Sequence, residues 1–241
     1  MRLHKVLAQA GIGSRRTIET WIKAGKIHIN GTLATLGQPV CAQDKVTVQG
    51  KLISLDNAYE QTTQVLMYHK DEGEICSRQS EIGKRTVFAN LPPLKTGRWV
   101  MVGRLDVNTS GLLLFTNNGK LAHQLMHPRF QIVRQYAVRV IGNVTENMLA
   151  NLKKGVRIPE VGLCKFQDIT TRNAPSGKNQ WFTVTLSEGK YREVRQLWAS
   201  QNCTVSRLIR IQYGKISLPR DLKKGHWRKL SEAQVQSLNS A

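Results

Sequence analysis

The chain has 241 residues, with 36 Lys and Arg against 16 Asp and Glu. Its formal net charge of +20 is a self-repulsion that calls for a polyanionic partner. Forty per cent hydrophobic residues exclude a disordered basic tail, and no apolar run nears the ~18 residues that cross a bilayer. No apolar segment follows Met1-Arg2-Leu3-His4-Lys5, and Cys41, Cys76, Cys164 and Cys203 are scattered. A secretory signal, a disulfide framework and a zinc site are therefore not expected, and a cytoplasmic protein is. Basic residues run along the whole chain, unlike the single basic amphipathic helix of a membrane-surface protein.

Residues 1–53 read as a small unit. Val6 and Leu7 lie on a first helix that stops at Gly11-Ile12-Gly13. Ser14 suits the N-cap of a second helix, along which Ile18, Trp21 and Ile22 form one apolar face before Gly25 ends it. Ile27 and Ile29 then alternate with polar residues, and Asn30-Gly31 signals a tight hairpin turn. Val46 and Val48 alternate again. Eight basic residues (Arg2, Lys5, Arg15, Arg16, Lys23, Lys26, Lys45, Lys51) are opposed here only by Glu19 and Asp44. Arg15 and Arg16 occupy the first turn of the second helix, the unfavourable end for cations, which leaves a solvated face or a role toward an external anion.

Residues 54–63 are polar without a clear period and read as a linker. From residue 64 the pattern is mixed. Short strands are expected at Val65–Tyr68, Val100–Val102, Leu112–Phe115, Gln135–Val140 and Phe182–Leu186. Helices are expected over Val144–Leu152, capped by Thr145, and over Glu193–Ala199.

The densest polar stretch is Val102-Gly103-Arg104-Leu105-Asp106-Val107-Asn108-Thr109-Ser110-Gly111-Leu112-Leu113. Asp106 there is either a turn acceptor or a carboxylate held at a strand end, available as nucleophile or base. Read alone, Arg195 is equally a surface cation, Tyr136 an aromatic on a strand face and Arg104 a phosphate contact. His69, His123, His127 and His226 share no metal-ligand spacing with the cysteines, and Trp181, Trp198 and Trp227 read as core.

Two resemblances narrow these readings. His4 to Gly31, H-K-V-L-A-Q-A-G-I-G-S-R-R-T-I-E-T-W-I-K-A-G-K-I-H-I-N-G, resembles the S-four domain, an RNA-binding module named after a small-subunit ribosomal protein. By position it implies phosphate contacts from Lys5, Arg15, Arg16, Lys23 and Lys26. The run G-R-L-D-x-x-T-S-G-L-L-L-x-T resembles the signature of pseudouridine synthases, in the branch that modifies bacterial ribosomal RNA and carries an S-four domain in front. Arg134 to Val138, Glu188 to Trp198, Val205 to Gly214 and Gly225 to Leu230 are similar to that branch too. Two features depart from it. Lys70-Asp71-Glu72-Gly73 stands where the family has Lys-Pro-x-Gly, and the chain ends soon after Leu238, without the long basic extension of some relatives.

The resemblance implies an α+β chain: a helix-helix-hairpin domain over 1–53, a linker over 54–63, and a synthase domain over 64–241. The last would hold a mixed, mainly antiparallel sheet flanked by helices. It implies conversion of a uridine to pseudouridine, with Asp106 as nucleophile and Arg195 paired to it. Tyr136 would lie against the uracil near the proton lost from carbon five, Val194 would pack beside the base, and Arg104 would fill the space that the flipped base leaves. No cofactor and no metal are implied. The implied partner is ribosomal RNA, the large-subunit (23S) RNA in a precursor particle, with neither membrane nor obligatory protein partner. The competing reading is an rRNA-binding assembly factor without turnover, or the same chemistry on another rRNA uridine.

Overall fold

The computed structural model describes residues 1–59, 62–80, 82–172 and 179–239. The chain divides into two compact units. The first holds Met1–Gln64, Pro92–Val100 and Thr116–Gly119, and the second the remainder.

The first unit opens with α1 (Leu3–Gln9) and α2 (Arg15–Lys23). Ser14 caps α2 as its sequence predicts: its Oγ accepts a hydrogen bond from the Thr17 amide at 3.0 Å. Ile18 and Ile22 are buried and Trp21 packs at their edge. An antiparallel sheet covers this face in the order β2-β1-β3-β4, from β1 (Ile27–Ile29), β2 (Thr32–Leu33), β3 (Val46–Val48) and β4 (Lys51–Ile53). The β1–β2 turn places Asn30 and Gly31 at φ 52° and 84°, the left-handed pair that the Asn-Gly dipeptide accommodates. The Asn30 side chain adds to this, donating to Asp44 Oδ1 at 2.9 Å and accepting from the Lys45 amide at 2.9 Å.

The predicted linker is only partly a connector. Its residues 60 and 61 lie outside the described residues. Just before them α3 (Asp56–Tyr59) makes one helical turn, and Leu55 and Ala58 are buried in the first unit's core. Two apolar residues three apart among polar ones are too few for a periodicity to show. Further along, Thr116 Oγ1 donates to Gln64 O at 2.9 Å, Asn117 Nδ2 donates to Thr62 O at 2.9 Å, and Gln64 N donates to Asn117 Oδ1 at 2.8 Å. Gly11 lies so close to Gly97 that a Cβ there would stand 2.8 Å from the Gly97 carbonyl oxygen. The small unit is therefore discontinuous in sequence, which the expected contiguous domains did not include.

The second unit is built on one long sheet. Its strands in chain order are β5 (Val65–Lys70), β6 (Val100–Val102), β7 (Ser110–Thr116) and β8 (Arg134–Ile141). They continue with β9 (Val156–Ile158), β10 (Gly162–Cys164), β11 (Asp168–Thr171), β12 (Asn179–Leu186), β13 (Thr204–Tyr213), β14 (Ile216–Ser217) and β15 (Trp227–Lys229). The order is β11-β12-β8-β13-β7-β5-β15, with β6 on β7 and β14 on β13, while β9 and β10 form a separate hairpin. The β13–β7 contact is parallel, whereas β11–β12, β12–β8, β13–β8 and β15–β5 are antiparallel, so the sheet is mixed and mainly antiparallel. Helices α4 (Gly119–Met126), α5 (Glu146–Lys154), α6 (Glu193–Ala199) and α7 (Glu232–Asn239) accompany it. β7 is buried at every position, which is why its apolar run does not alternate. Trp198 is core as expected, but Trp227 is 39% exposed on edge strand β15. Among the described residues no helix is long and apolar enough to cross a membrane.

Candidate active site

The site is set by where β7 begins. β13 runs beside it in parallel and leaves no room at Gly111: a Cβ there would stand 2.3 Å from the Arg210 carbonyl oxygen, and φ is +108°. Glycine alone fits that junction. The β6–β7 connection just before it carries Asp106.

Four successive carbonyls of this connection each receive a donor. Asp106 O accepts from the Thr109 amide at 3.0 Å and closes the turn. Val107 O accepts from Lys70 Nζ at 3.3 Å and from the Gly73 amide at 2.9 Å. Asn108 O accepts from Arg195 Nη2 at 2.8 Å, and Thr109 O from Lys70 Nζ at 2.9 Å. Lys70 is fully buried and spends its third donor on Asp71 O at 2.9 Å. Burial pushes its ammonium below the ordinary lysine value, opposed by Cys76 and the surrounding carboxylates. The loop is thereby fixed in backbone while the Asp106 side chain stays half-exposed.

Asp106 opens onto a cleft of about 210 Å³. The same cleft is lined by Arg104, Tyr136, Val194 and Arg195, so all five residues singled out in this part of the sequence meet in one place. Tyr136 comes from β8 and is 9% exposed; Val194 comes from the first turn of α6 and is 5% exposed; Arg104 is exposed at the mouth. Their strands and helix converge because β8 lies next to β13 and α6 packs on the core beneath both.

Arg195 is placed differently from expectation. Its Nη1 donates to Val205 O at 2.9 Å and its Nη2 to Asn108 O, tying α6 to β13 and to the Asp106 loop. Among the described residues no ion pair within 4.0 Å joins it to Asp106, although the two charges act on each other. Burial, then the Arg192 charge, holds its guanidinium below the ordinary value, with Asp106 and Glu72 opposing. The physical reason is competition: backbone carbonyls of two elements occupy the planar fork. Arg195 Nε remains buried and without a hydrogen-bond partner.

Three buried charged residues that the sequence reading did not single out also line the cleft. Arg210 is 2% exposed, donates through Nε to Leu112 O at 2.7 Å, and lies 4.8 Å over the Tyr213 ring. Arg134 donates to Ser187 O at 3.0 Å and to Tyr213 Oη at 3.2 Å, and stacks on the same ring at 5.0 Å. Glu193 is 4% exposed and accepts from the Lys190 amide at 3.1 Å; burial raises its carboxyl above the ordinary value. Arg134 shares the inward phase of Tyr136 and Val138 on β8, and Arg210 that of Leu208 on β13, and that phase was the signal available for them.

The five basic residues expected to meet RNA, Lys5, Arg15, Arg16, Lys23 and Lys26, are all exposed in the first unit. Among the described residues none of them forms an ion pair within 4.0 Å.

Residues 64–200 match the family described as RNA pseudouridylate synthase, and residues 1–53 match the S4 domain. The chain belongs to the RNA pseudouridylate synthase family. It is 47% identical over 238 residues to the ribosomal large subunit pseudouridine synthase B of Pseudomonas aeruginosa, covering 99% of this chain and 61% of that protein. The protein of the same name from Haemophilus influenzae is 50% identical over 239 residues, covering 98% of this chain and 66% of that protein. That of Escherichia coli K12 is 48% identical, with 98% and 81% covered. The chain thus spans less than two thirds of the length of the first two relatives. A crystal structure of a pseudouridylate synthase shares the fold, at a TM-score of 0.68 and 24% identity over 99% of both chains. In this member of the family the site described above falls wholly within the synthase match, apart from the β13 residues Leu208, Arg210 and Tyr213.

Proposed function

We propose that this chain isomerises a uridine of large-subunit (23S) ribosomal RNA, in a precursor particle, to pseudouridine, with Asp106 as the nucleophile. The observation that carries the reading is a half-exposed carboxylate on a backbone clamped at four carbonyls, opening onto a cleft ringed by arginines. Such a cleft attracts a phosphodiester chain and holds one acid ready at a fixed point. The reaction breaks the bond from uracil N1 to the ribose C1′. The base turns, C5 joins C1′, C5 loses its proton, and N1 gains one, so the atoms balance.

The uridine leaves its stack to reach Asp106, at a cost of a few kcal/mol that is smaller in a loop. Tyr136 offers a ring against the uracil and Val194 an apolar contact beside it. Arg104, exposed at the mouth, occupies the vacated place with its guanidinium plane. Arg195 positions Asp106 by holding Asn108 O, and its unpartnered Nε is a donor within the same wall. Lys5, Arg15, Arg16, Lys23 and Lys26 bind RNA phosphates.

The test is tritium release from an in vitro transcript of large-subunit rRNA labelled at uracil C5. Asp106→Asn is expected to abolish release, at least 10³-fold, while binding the transcript within about twofold of wild type. Release at the wild-type rate would end the nucleophile assignment. Absence of release by the wild-type chain, with tight binding retained, would favour an RNA-binding factor without turnover.

A further inference from the structure

The loop before α6 is tied to its surroundings through both backbone and side-chain bonds. The Lys190 amide donates to Glu193 Oε2 at 3.1 Å, and Glu193 is 4% exposed. Lys190 Nζ donates to Leu163 O on β10 at 2.6 Å and pairs with Glu188 Oε2 at 2.8 Å. Tyr191 O accepts from Gln196 Nε2 at 2.8 Å. Arg192, the residue before α6, is left-handed at φ 49°, a conformation a non-glycine residue adopts only where its surroundings impose it.

What these bonds hold in place is Tyr191. Its side chain is left in solvent at 73% exposure, far beyond Tyr68, Tyr136 and Tyr213, all of which are 9% exposed or less. Its neighbours on both sides, Lys190 and Arg192, line the cleft together with Gly189. A single exposed apolar residue on an ordinary surface needs no explanation. An exposed aromatic on a loop tied down through its backbone, next to the exposed Arg192 guanidinium and at the edge of the cleft, has the composition of a base-stacking platform, in which a cation tracks phosphates and a ring takes a base. The backbone bonds matter because they fix the place from which the ring is presented, so less chain freedom is lost when it meets a base.

We propose that Tyr191 stacks on a base of the substrate RNA next to the target uridine, and so acts as a binding and specificity-determining residue outside the reacting centre. The proposal rests on the RNA reading given above. Stacking needs a ring and not a hydroxyl, so Tyr191→Phe and Tyr191→Ala separate it from hydrogen bonding. Folding is separated as well, since among the described residues the Tyr191 side chain makes no hydrogen bond that either variant would lose.

The experiment measures filter binding and C5 tritium release on the same large-subunit rRNA transcript, with thermal unfolding as control. Tyr191→Ala is expected to weaken binding and raise KM about tenfold, within the roughly 5- to 150-fold range of one base–aromatic stack, while kcat stays within twofold. Tyr191→Phe is expected to match wild type in all three. Unchanged binding by Tyr191→Ala, or an equal loss in Tyr191→Phe, would overturn the proposal. If binding follows the expected pattern but the wild-type chain releases no tritium, stacking stands and the isomerase reading falls. If tritium is released and Tyr191→Ala binds as wild type, the isomerase reading stands and stacking falls.

Discussion

Lys70 shows how much one side chain can organise. Its ammonium is buried and satisfies three backbone carbonyls, two of them in the Asp106 loop. A Lys70→Met substitution fills similar volume but removes the Lys70 donor from Asp71 O and Thr109 O, while Val107 O keeps the Gly73 amide. Each buried unsatisfied group costs about 1–3 kcal/mol, so with two such groups the unfolding free energy in urea is expected to fall by about 2 kcal/mol or more. A change under 1 kcal/mol would show that the loop holds itself. Glu193 gives a pH signature. Burial raises its folded-state carboxyl above the unfolded value near 4.5, so the folded protein holds this proton more tightly. Its contribution to stability is complete below that value and is lost as pH rises through the raised one. Glu193→Gln keeps the acceptor for the Lys190 amide and removes the titration. The variant's stability relative to wild type should therefore increase from pH 4 to pH 7, read from urea unfolding at each pH. A difference independent of pH would mean that Glu193 does not titrate in that window.

At the scale of elements, the parallel contact between β7 and β13 decides where the carboxylate points. Gly111 makes it possible. In Gly111→Ala the new Cβ meets the Arg210 backbone at 2.3 Å, and backbone cannot rotate away as a side-chain end can. The expected result is loss of more than about 3 kcal/mol of unfolding free energy, or no soluble protein, seen by thermal unfolding. A wild-type midpoint would mean that the junction has slack. Helix α6 plays the complementary part. It places Val194 on the core and sends Arg195 to Val205 O and Asn108 O at once, a fork that one ammonium cannot reproduce. Arg195→Lys is therefore expected to lower kcat about tenfold or more, with KM little changed; the tritium assay gives both, and wild-type kcat would overturn the positioning role.

At the scale of the whole molecule the charge of +20 is the governing quantity. Binding to rRNA should weaken steeply with salt, with a log–log slope of about 0.7–0.9 for each neutralised phosphate. If Arg16 and Lys23 each meet a phosphate, Arg16→Ala and Lys23→Ala should each reduce that slope by about one contact. A flat response to salt in the wild-type chain would remove phosphate tracking from the account.

Much of this was legible in residue order, because the signals are local. Ser14 and Thr145 accept from backbone amides three residues on, and Asn30-Gly31 takes its left-handed turn, through groups adjacent in the chain. The patterns around Asp106, Tyr136 and Arg195 were also readable, and so was the family they resemble. The tertiary structure decided what depends on distant partners. It buries Lys70 under a loop nearly forty residues away, sends the Arg195 fork to carbonyls instead of directly to Asp106, and draws residues 92–100 into the N-terminal unit. It also leaves Tyr191 in solvent, between two residues that line the cleft, while sinking Tyr136 and Tyr213 in the lining itself. Hydrogen-bond competition and burial are properties of the assembled surroundings; the chain order names the donors and acceptors, and packing chooses which of them meet.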